Sequence, residues 1–198
     1  MLITKSHRQK YSDNNLDNVA ECLEHLSRAL KPFSGVQDAE AAVALLLKAA
    51  GEDLVALLVK RVESPRDFWS GQVALPGGRR ENRDTDLKET VIREVFEETG
   101  IDLRSDCSFL GVLETSTSAG RPVKVLPFVV FLEHDVAIIL EKKELEAFAW
   151  IKLDDFAKHK GTARLSFGEV PAFLINDYMI WGLTFRILDD FLRLLKSA

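Results

Sequence analysis

Cysteine is almost absent from this sequence. Cys22 and Cys107 are its only two, far apart and outside any CxxC spacing, which excludes a disulfide framework and a thiolate metal site. Both read as buried or half-buried thiols. The four histidines, His7, His25, His134 and His159, are scattered, so zinc chemistry of the HExxH or zinc-finger kind is excluded too. Long apolar runs are also missing. The longest, 125–132, is interrupted by Pro127 and falls well short of the roughly 20 residues of a spanning helix. Lys5, Arg8 and Lys10 have no apolar stretch behind them, so residues 1–14 do not read as a signal peptide. The expected location is cytoplasmic. With 26 basic against 31 acidic residues and a formal net charge of -5, no electrostatic footprint for nucleic acid or an anionic membrane exists. GxSxG, GxxxxGK[ST] and GxGxxG are absent as well, which removes the common nucleophile-elbow and nucleotide-loop chemistries.

What is present is a chain of 198 residues, 46% hydrophobic, long enough for one core. A single domain over residues 1–198 is expected, with a helical extension over about 1–38. Val19, Ala20, Leu23, Leu26 and Leu30 recur at helical spacing from Leu16 to Pro32. Ala42–Leu47 and Leu54–Val59 read as a buried hairpin about Gly51, and residues 109–114, 123–132 and 148–151 read as further strands. The charged stretch 141–146 is helix or loop. A helix is predicted over Leu87–Thr99, capped by Asp86 with Glu89 three positions on and stopped by Gly100. Another is predicted over Tyr178–Leu195, with Ile180, Leu183, Ile187, Phe191 and Leu194 on one side. Strands interleaved with helices predict a layered α/β or α+β domain.

The helix from Leu87 carries the chemistry. At about 100° per residue Val91, Ile92, Val95 and Phe96 share one sector, the predicted core face. Glu94 and Glu98 stack beside it, and Glu97 stands about a quarter-turn away. Like charges four apart cost roughly 0.2–0.5 kcal/mol, and acids in a last turn oppose the helix dipole. A hard cation reverses both effects; magnesium or manganese suits an all-oxygen donor set and commonly also takes substrate phosphates. A solvated acidic face is the alternative. Pro76-Gly77-Gly78 leads in with little side-chain bulk, so a ligand can approach the backbone closely.

Residues 78–101, GRRENRDTDLKETVIREVFEETGI, resemble the Nudix box, Gx5Ex7REUxEExGU with U aliphatic. The half from Arg93 to Ile101 matches at every fixed position. Asp84 stands where the box glutamate would be, separated from Arg93 by eight residues rather than seven. An insertion of this kind occurs in the coenzyme A pyrophosphatase-like branch. Leu57–Arg61, Arg66 and Gly71–Gly78 are similar to that branch's signature before the box, although Leu75 replaces a usual aromatic and the Arg66-to-Gly71 gap is one residue longer. Ile180–Thr184 is similar to its IWGLT segment.

The resemblance implies a Nudix α/β/α sandwich with a mixed sheet, an extra N-terminal helix and a C-terminal helix. It implies Mg2+ or Mn2+ held by Glu94, Glu97 and Glu98, with Arg93 orienting them and Glu94 open to a second role as base. The implied reaction is hydrolysis of a small nucleoside diphosphate derivative, coenzyme A or acyl-coenzyme A, to adenosine 3',5'-bisphosphate and 4'-phosphopantetheine. ADP-ribose, NADH or another such derivative is the alternative substrate, and a non-catalytic nucleotide sensor the alternative of another class. A homodimer is compatible with the resemblance.

Around this centre, Arg66 with Phe68 and Trp69 can hold a phosphate while a ring stacks on a base; the other reading is an exposed arginine with its aromatics in the core. Gly77 and Gly78 offer backbone to the substrate. Arg79 and Arg80 reach the diphosphate or face water. Ser70 has no partners of a nucleophile and reads as a loop hydrogen-bonding residue. Glu144, six residues before Trp150, is a candidate general base or part of a solvated charge run. Trp150 and Trp181 are expected in the core.

Overall fold

Two near-continuous aliphatic runs, Ala42–Leu47 and Leu54–Val59, form a hairpin buried on both faces, as expected. Strands β1 (Ala41–Ala50) and β2 (Asp53–Arg61) run antiparallel, with Ala50 opposite Asp53 and Leu47 opposite Ala56. The computed structural model of the chain describes residues 19–35, 38–64, 70–105, 107–118 and 122–197. Beyond Leu47 and Ala56 the two strands no longer pair with each other. Short strand β3 (Val73–Ala74) pairs there with β2, and β4 (Gly77–Arg79) with β1. The Pro76 carbonyl between them accepts from the Ala44 N–H at 2.8 Å, and the Gln72 carbonyl from Arg61 at 3.0 Å. Gly77 and Gly78 are therefore fixed inside the sheet rather than on a surface loop.

The sheet extends on both sides. Strand β5 (Cys107–Val112) and the two-residue β6 (Ser116–Thr117) pair antiparallel with β7 (Lys124–Leu132), which runs parallel to β1. Pro127 is tolerated within β7 because its ladder is interrupted there: its carbonyl accepts from Leu113, after β5 ends and before β6 begins. Strand β8 (Leu145–Lys152) closes the far side along β2. The expected mixed sheet is thus observed. Strand β8 begins earlier than the sequence suggests and absorbs the end of the charged stretch.

Each face of the sheet carries helices, because each strand presents aliphatic residues on both sides. Ala42, Ala44, Leu46, Leu57, Leu126, Phe128 and Val130 meet Leu87, Val91, Ile92 and Val95 of helix α2 (Leu87–Thr99). On the opposite face Leu45, Leu47, Leu58 and Val129 meet Leu26 of α1, whose described residues are 19–29, and Leu30 just after it. The start of that helix expected at Leu16 lies outside the described residues. After β8 come the short α3 (Leu153–Lys158) and a second sheet, β9 (Lys160–Leu165), β10 (Gly168–Ile175) and β11 (Tyr178–Trp181), all antiparallel. Helix α4 (Gly182–Lys196) then covers the sheet with Phe185, Leu188 and Phe191. The result is the α/β/α arrangement with an added three-stranded sheet.

Three expectations are corrected. Residues 178–181 form a strand, so the C-terminal helix begins at Gly182 rather than Tyr178. Ile180 faces the core through strand alternation, and Gly182, at φ +67°, separates the two elements. Phe96 is 54% exposed, at the margin of the predicted core sector. Trp150 and Trp181 are half-buried, not core.

Candidate functional site around helix α2

Helix α2 starts as read: the Asp86 carboxylate accepts from the Lys88 and Glu89 N–H groups at 2.8 and 2.9 Å. Glu89 turns to Arg104 at 2.7 Å instead of back to the cap. The helix ends at Gly100, whose N–H donates to the Phe96 carbonyl at 2.9 Å. Beyond this point the 139–141 backbone folds over the helix end. Ile139 N–H donates to the Thr99 carbonyl at 2.8 Å and Glu141 N–H to the Glu98 carbonyl at 3.0 Å.

Arg93 organises the middle of the helix. Its side chain is 12% exposed and donates in five directions: to both Asp84 oxygens at 2.9 Å, to Glu94 at 2.8 Å, to Glu97 at 3.0 Å and to the Arg79 carbonyl at 3.0 Å. Asp84, with its side chain 3% exposed, also accepts from the Thr90 hydroxyl at 3.0 Å and the Glu81 N–H at 2.8 Å. The Arg93 guanidinium holds the Asp84 carboxyl well below the usual carboxylate range. The replacement noted in the sequence is therefore a two-pronged anchor under the arginine.

Glu94 and Glu98 stand apart from this network in their electrostatics. Burial pushes the Glu94 carboxyl up, against the pull of Arg93. Glu98 is 5% exposed and pushed up to about 8, first by burial and then by the charges of Glu94 and Glu144. Its Oε2 accepts one N–H, from Gly77 at 2.9 Å, and Arg61 offsets part of its charge. A buried carboxylate facing two other acids is short of positive charge, which fits an oxygen-seeking cation. Glu97 is engaged differently: Arg93 and Arg83 each hold it at 3.0 Å. Among the described residues no three acids, histidines or cysteines are gathered closely enough to hold a metal as they stand. Glu94 and Glu98 suit a cation here, and Glu97 joins them only if it leaves its arginines.

The two glycines explain the close approach. Gly77 has φ +140°, and a Cβ there would lie 2.3 Å from the Ala42 carbonyl oxygen. A Cβ on Gly78 would lie 2.4 Å from the Glu94 carboxyl carbon. They bring β4 against the acids before any ligand is considered.

A cavity of about 280 Å³ is lined by Glu98, Gly77 and Gly78, by Arg61, Gln72 and Arg79, and by Trp181 to Thr184. Of the residues expected from sequence, the structure joins Glu98, Gly77, Gly78 and Arg79 to this cavity; Glu94 lies against Gly78. Glu144 is exposed but close enough for its charge to be felt at both Glu94 and Glu98. Arg66 and Trp69 lie outside the described residues. Arg80 donates to the Asp84 and Thr85 carbonyls at 3.2 and 2.8 Å, holding the loop. Ser70 accepts from the Ser64 N–H at 2.6 Å, the loop role expected for it. Arg61 and Gln72 entered the sequence reading only within the segments that resemble the coenzyme A branch, with no role of their own, because their proximity to Glu98 arises from the pairing of β3 with β2. A second hollow of about 270 Å³ lies behind Arg93, where Arg83 and Arg104 are already paired with Glu97 and Glu89. It lacks the electrostatic demand of Glu98.

Comparison with known proteins follows the same line. The NUDIX domain model matches residues 38–167, more than half of the chain. The chain is similar to the peroxisomal coenzyme A diphosphatase ndx-8 of Caenorhabditis elegans, 31% identical over 74% of this chain and 64% of that one. It is also similar to Nudix hydrolase 15, mitochondrial, of Arabidopsis thaliana, 35% identical over 69% of this chain and 51% of that one. A third relative, an uncharacterized protein of Schizosaccharomyces pombe, is 37% identical, but the match spans only 50% of this chain and 32% of that one. The chain thus spans about a third to two thirds of the length of these relatives. Among solved structures, a MutT/nudix family protein from Enterococcus faecalis shares the fold over 99% of this chain and 76% of its own, at 18% identity and a TM-score of 0.54. The match of the family model, joined to the Arg93 network and the glycine strand that meets its acids, establishes that this chain belongs to the Nudix family.

Proposed function

We propose that the protein is a hydrolase of nucleoside diphosphate derivatives, cleaving coenzyme A or acyl-coenzyme A to adenosine 3',5'-bisphosphate and 4'-phosphopantetheine. The observation that carries this reading is Glu98, a buried acid with one N–H donor at the inner end of a cavity beside Arg61 and Arg79. Nudix hydrolases generally use divalent metal ions. Glu94 and Glu98 are the residues that would hold such an ion, and Mg2+ or Mn2+ suits their oxygen donors. When bound, it supplies charge neutralisation at the diphosphate and acidity to a water.

The chain's own residues supply the rest. Arg61 and Arg79 face the diphosphate, and the Gly77-Gly78 backbone lets it approach the acids. Water attacks one phosphorus, the bond from that phosphorus to the bridging oxygen breaks, and a carboxylate accepts the water's proton. We assign this to Glu144, because Glu94 and Glu98 would hold the ion and Glu97 is tied to Arg93 and Arg83. Coenzyme A is favoured over ADP-ribose and NADH by the name of the nematode relative and by the coenzyme A-like segments 71–78 and 180–184, several residues of which line the cavity.

Chromatographic product analysis with Mg2+ or Mn2+ tests the reading, with coenzyme A, ADP-ribose, NADH and diadenosine polyphosphates offered in parallel. Preferential release of adenosine 3',5'-bisphosphate is the expected result. Preference for another compound overturns the substrate, and binding without turnover of any compound returns the sensor.

The glycines give a second test. Gly78→Ala places its methyl group in the Glu94 carboxylate, a side-chain tip that can swing aside, so the expected result is a folded protein with turnover reduced by about 10²-fold. Gly77→Ala strikes the Ala42 backbone and should lower the melting temperature instead. Unchanged kcat in Gly78→Ala would remove Glu94 from the reacting centre.

A further inference from the structure

Apart from Glu98, Gly77, Gly78 and the two arginines, the lining of the cavity is of a different chemistry. Val43, Val59, Ala74, Val123, Leu183 and Ile187 make it largely aliphatic. Gln72, Ser118 and Thr184 interrupt that lining with amide and hydroxyl groups, and Ser118 and Thr184 are themselves buried. Among the described residues Trp181 is the one aromatic of the lining, and the exposed Phe167 packs against that ring at a centroid distance of 5.8 Å. Both lining cations, Arg61 and Arg79, belong to the group around Glu98 that faces the diphosphate in the reading above.

On that reading the substrate has two unlike arms on its diphosphate. One is a nucleoside bearing a 3'-phosphate. The other is a flexible aliphatic chain with a gem-dimethyl group and two amides. We infer that this aliphatic lining receives the aliphatic diamide arm and that the nucleoside arm stays outside it. A phosphate dianion among these walls would lose its hydration and meet neutral groups alone, since Arg61 and Arg79 serve the diphosphate. A diamide chain leaves its methyl groups on the valines and its N–H and C=O groups within the reach of Gln72, Ser118 and Thr184. Residues 180–184 thereby acquire a role: Trp181, Leu183 and Thr184 select the arm while α2 handles the diphosphate.

The test titrates the full chain, with Mg2+ present, by calorimetry against the two product fragments separately. Ala74→Phe fills the cavity from the edge strand β3. It should weaken 4'-phosphopantetheine about tenfold or more and leave adenosine 3',5'-bisphosphate within about twofold. Thr184→Val keeps the side-chain shape without the hydroxyl and should weaken 4'-phosphopantetheine alone by about threefold to tenfold. If a thermal melt shows that Ala74→Phe does not fold, Thr184→Val decides. Weakened bisphosphate binding with unchanged 4'-phosphopantetheine binding, or equal effects on both, overturns the assignment of the arm. Wild-type protein that binds neither fragment and cleaves another compound overturns the coenzyme A reading and this inference with it. Coenzyme A cleavage with the wrong fragment affected overturns this inference alone.

Discussion

Replacing Glu98 by Gln is expected to remove turnover by about 10²–10³-fold or more and, in the same protein, to raise stability in the absence of metal at pH 8. The two effects share one cause. In the native chain the Glu98 carboxyl is pushed up to about 8, mainly by burial, whereas unfolding returns it to the ordinary carboxylate value. Below that ordinary value both states are protonated and burial costs nothing. As pH rises towards 8 the unfolded state ionises freely while the native state resists, so native stability falls, by on the order of 4 kcal/mol once both are ionised. Glutamine never ionises, and its carbonyl can still accept the Gly77 N–H. A cation that binds the ionised acids works in the opposite sense. Melting curves in Mg2+ and in chelator should therefore separate widely at pH 8 and narrowly at pH 5.5. Equal separation at both pH values would show that Glu98 does not hold the ion.

Asp84→Ala is expected to cost about 3–5 kcal/mol of folding stability, more than substitution of any exposed acid on α2. The loss is larger than that of a surface ion pair because Arg93 remains largely buried, with two of its five N–H directions unanswered. Urea unfolding with an unchanged m-value checks this, and a loss below about 1 kcal/mol would show the pair to be replaceable by solvent. The pH dependence has the opposite sign from that of Glu98. The Asp84 carboxyl is held low, so its contribution is complete above the ordinary carboxylate range and fades as pH falls below it. The two acids together place their joint stability maximum in the metal-free protein near the ordinary carboxylate value, with the loss at Asp84 setting in below it and the loss at Glu98 above it.

Much of this was legible in the residues themselves. The spacing from Asp86 to Gly100 specified α2, its cap and its stop, because those signals are local. The hairpin about Gly51 was equally local. The second sheet was not: Ile180, Leu183 and Ile187 keep helical spacing although the first belongs to a strand, and only the backbone turn at Gly182 tells the two apart. Trp181 read as core for the same reason, since a large apolar residue looks alike in a core and on a cavity wall. Asp84 was noted as a departure from a pattern, yet its grip on Arg93 depends on a loop path that no periodicity encodes. Phe96 shows the limit of an ideal helical wheel, whose sector is wider than the sheet it meets.

The covering of the α2 terminus by residues 139–141 bears on how the protein responds to its medium. Its last turn carries no basic side chain, so the carbonyls of Glu98 and Thr99 are answered by peptide N–H groups. A lysine or arginine in that place would be weakened by added electrolyte and would draw the neighbouring acids towards itself. Fixed peptide dipoles do neither. They let the end of the helix keep its form from dilute buffer to concentrated brine, so that sensitivity to ionic strength belongs to the encounter with a charged substrate rather than to the scaffold that receives it.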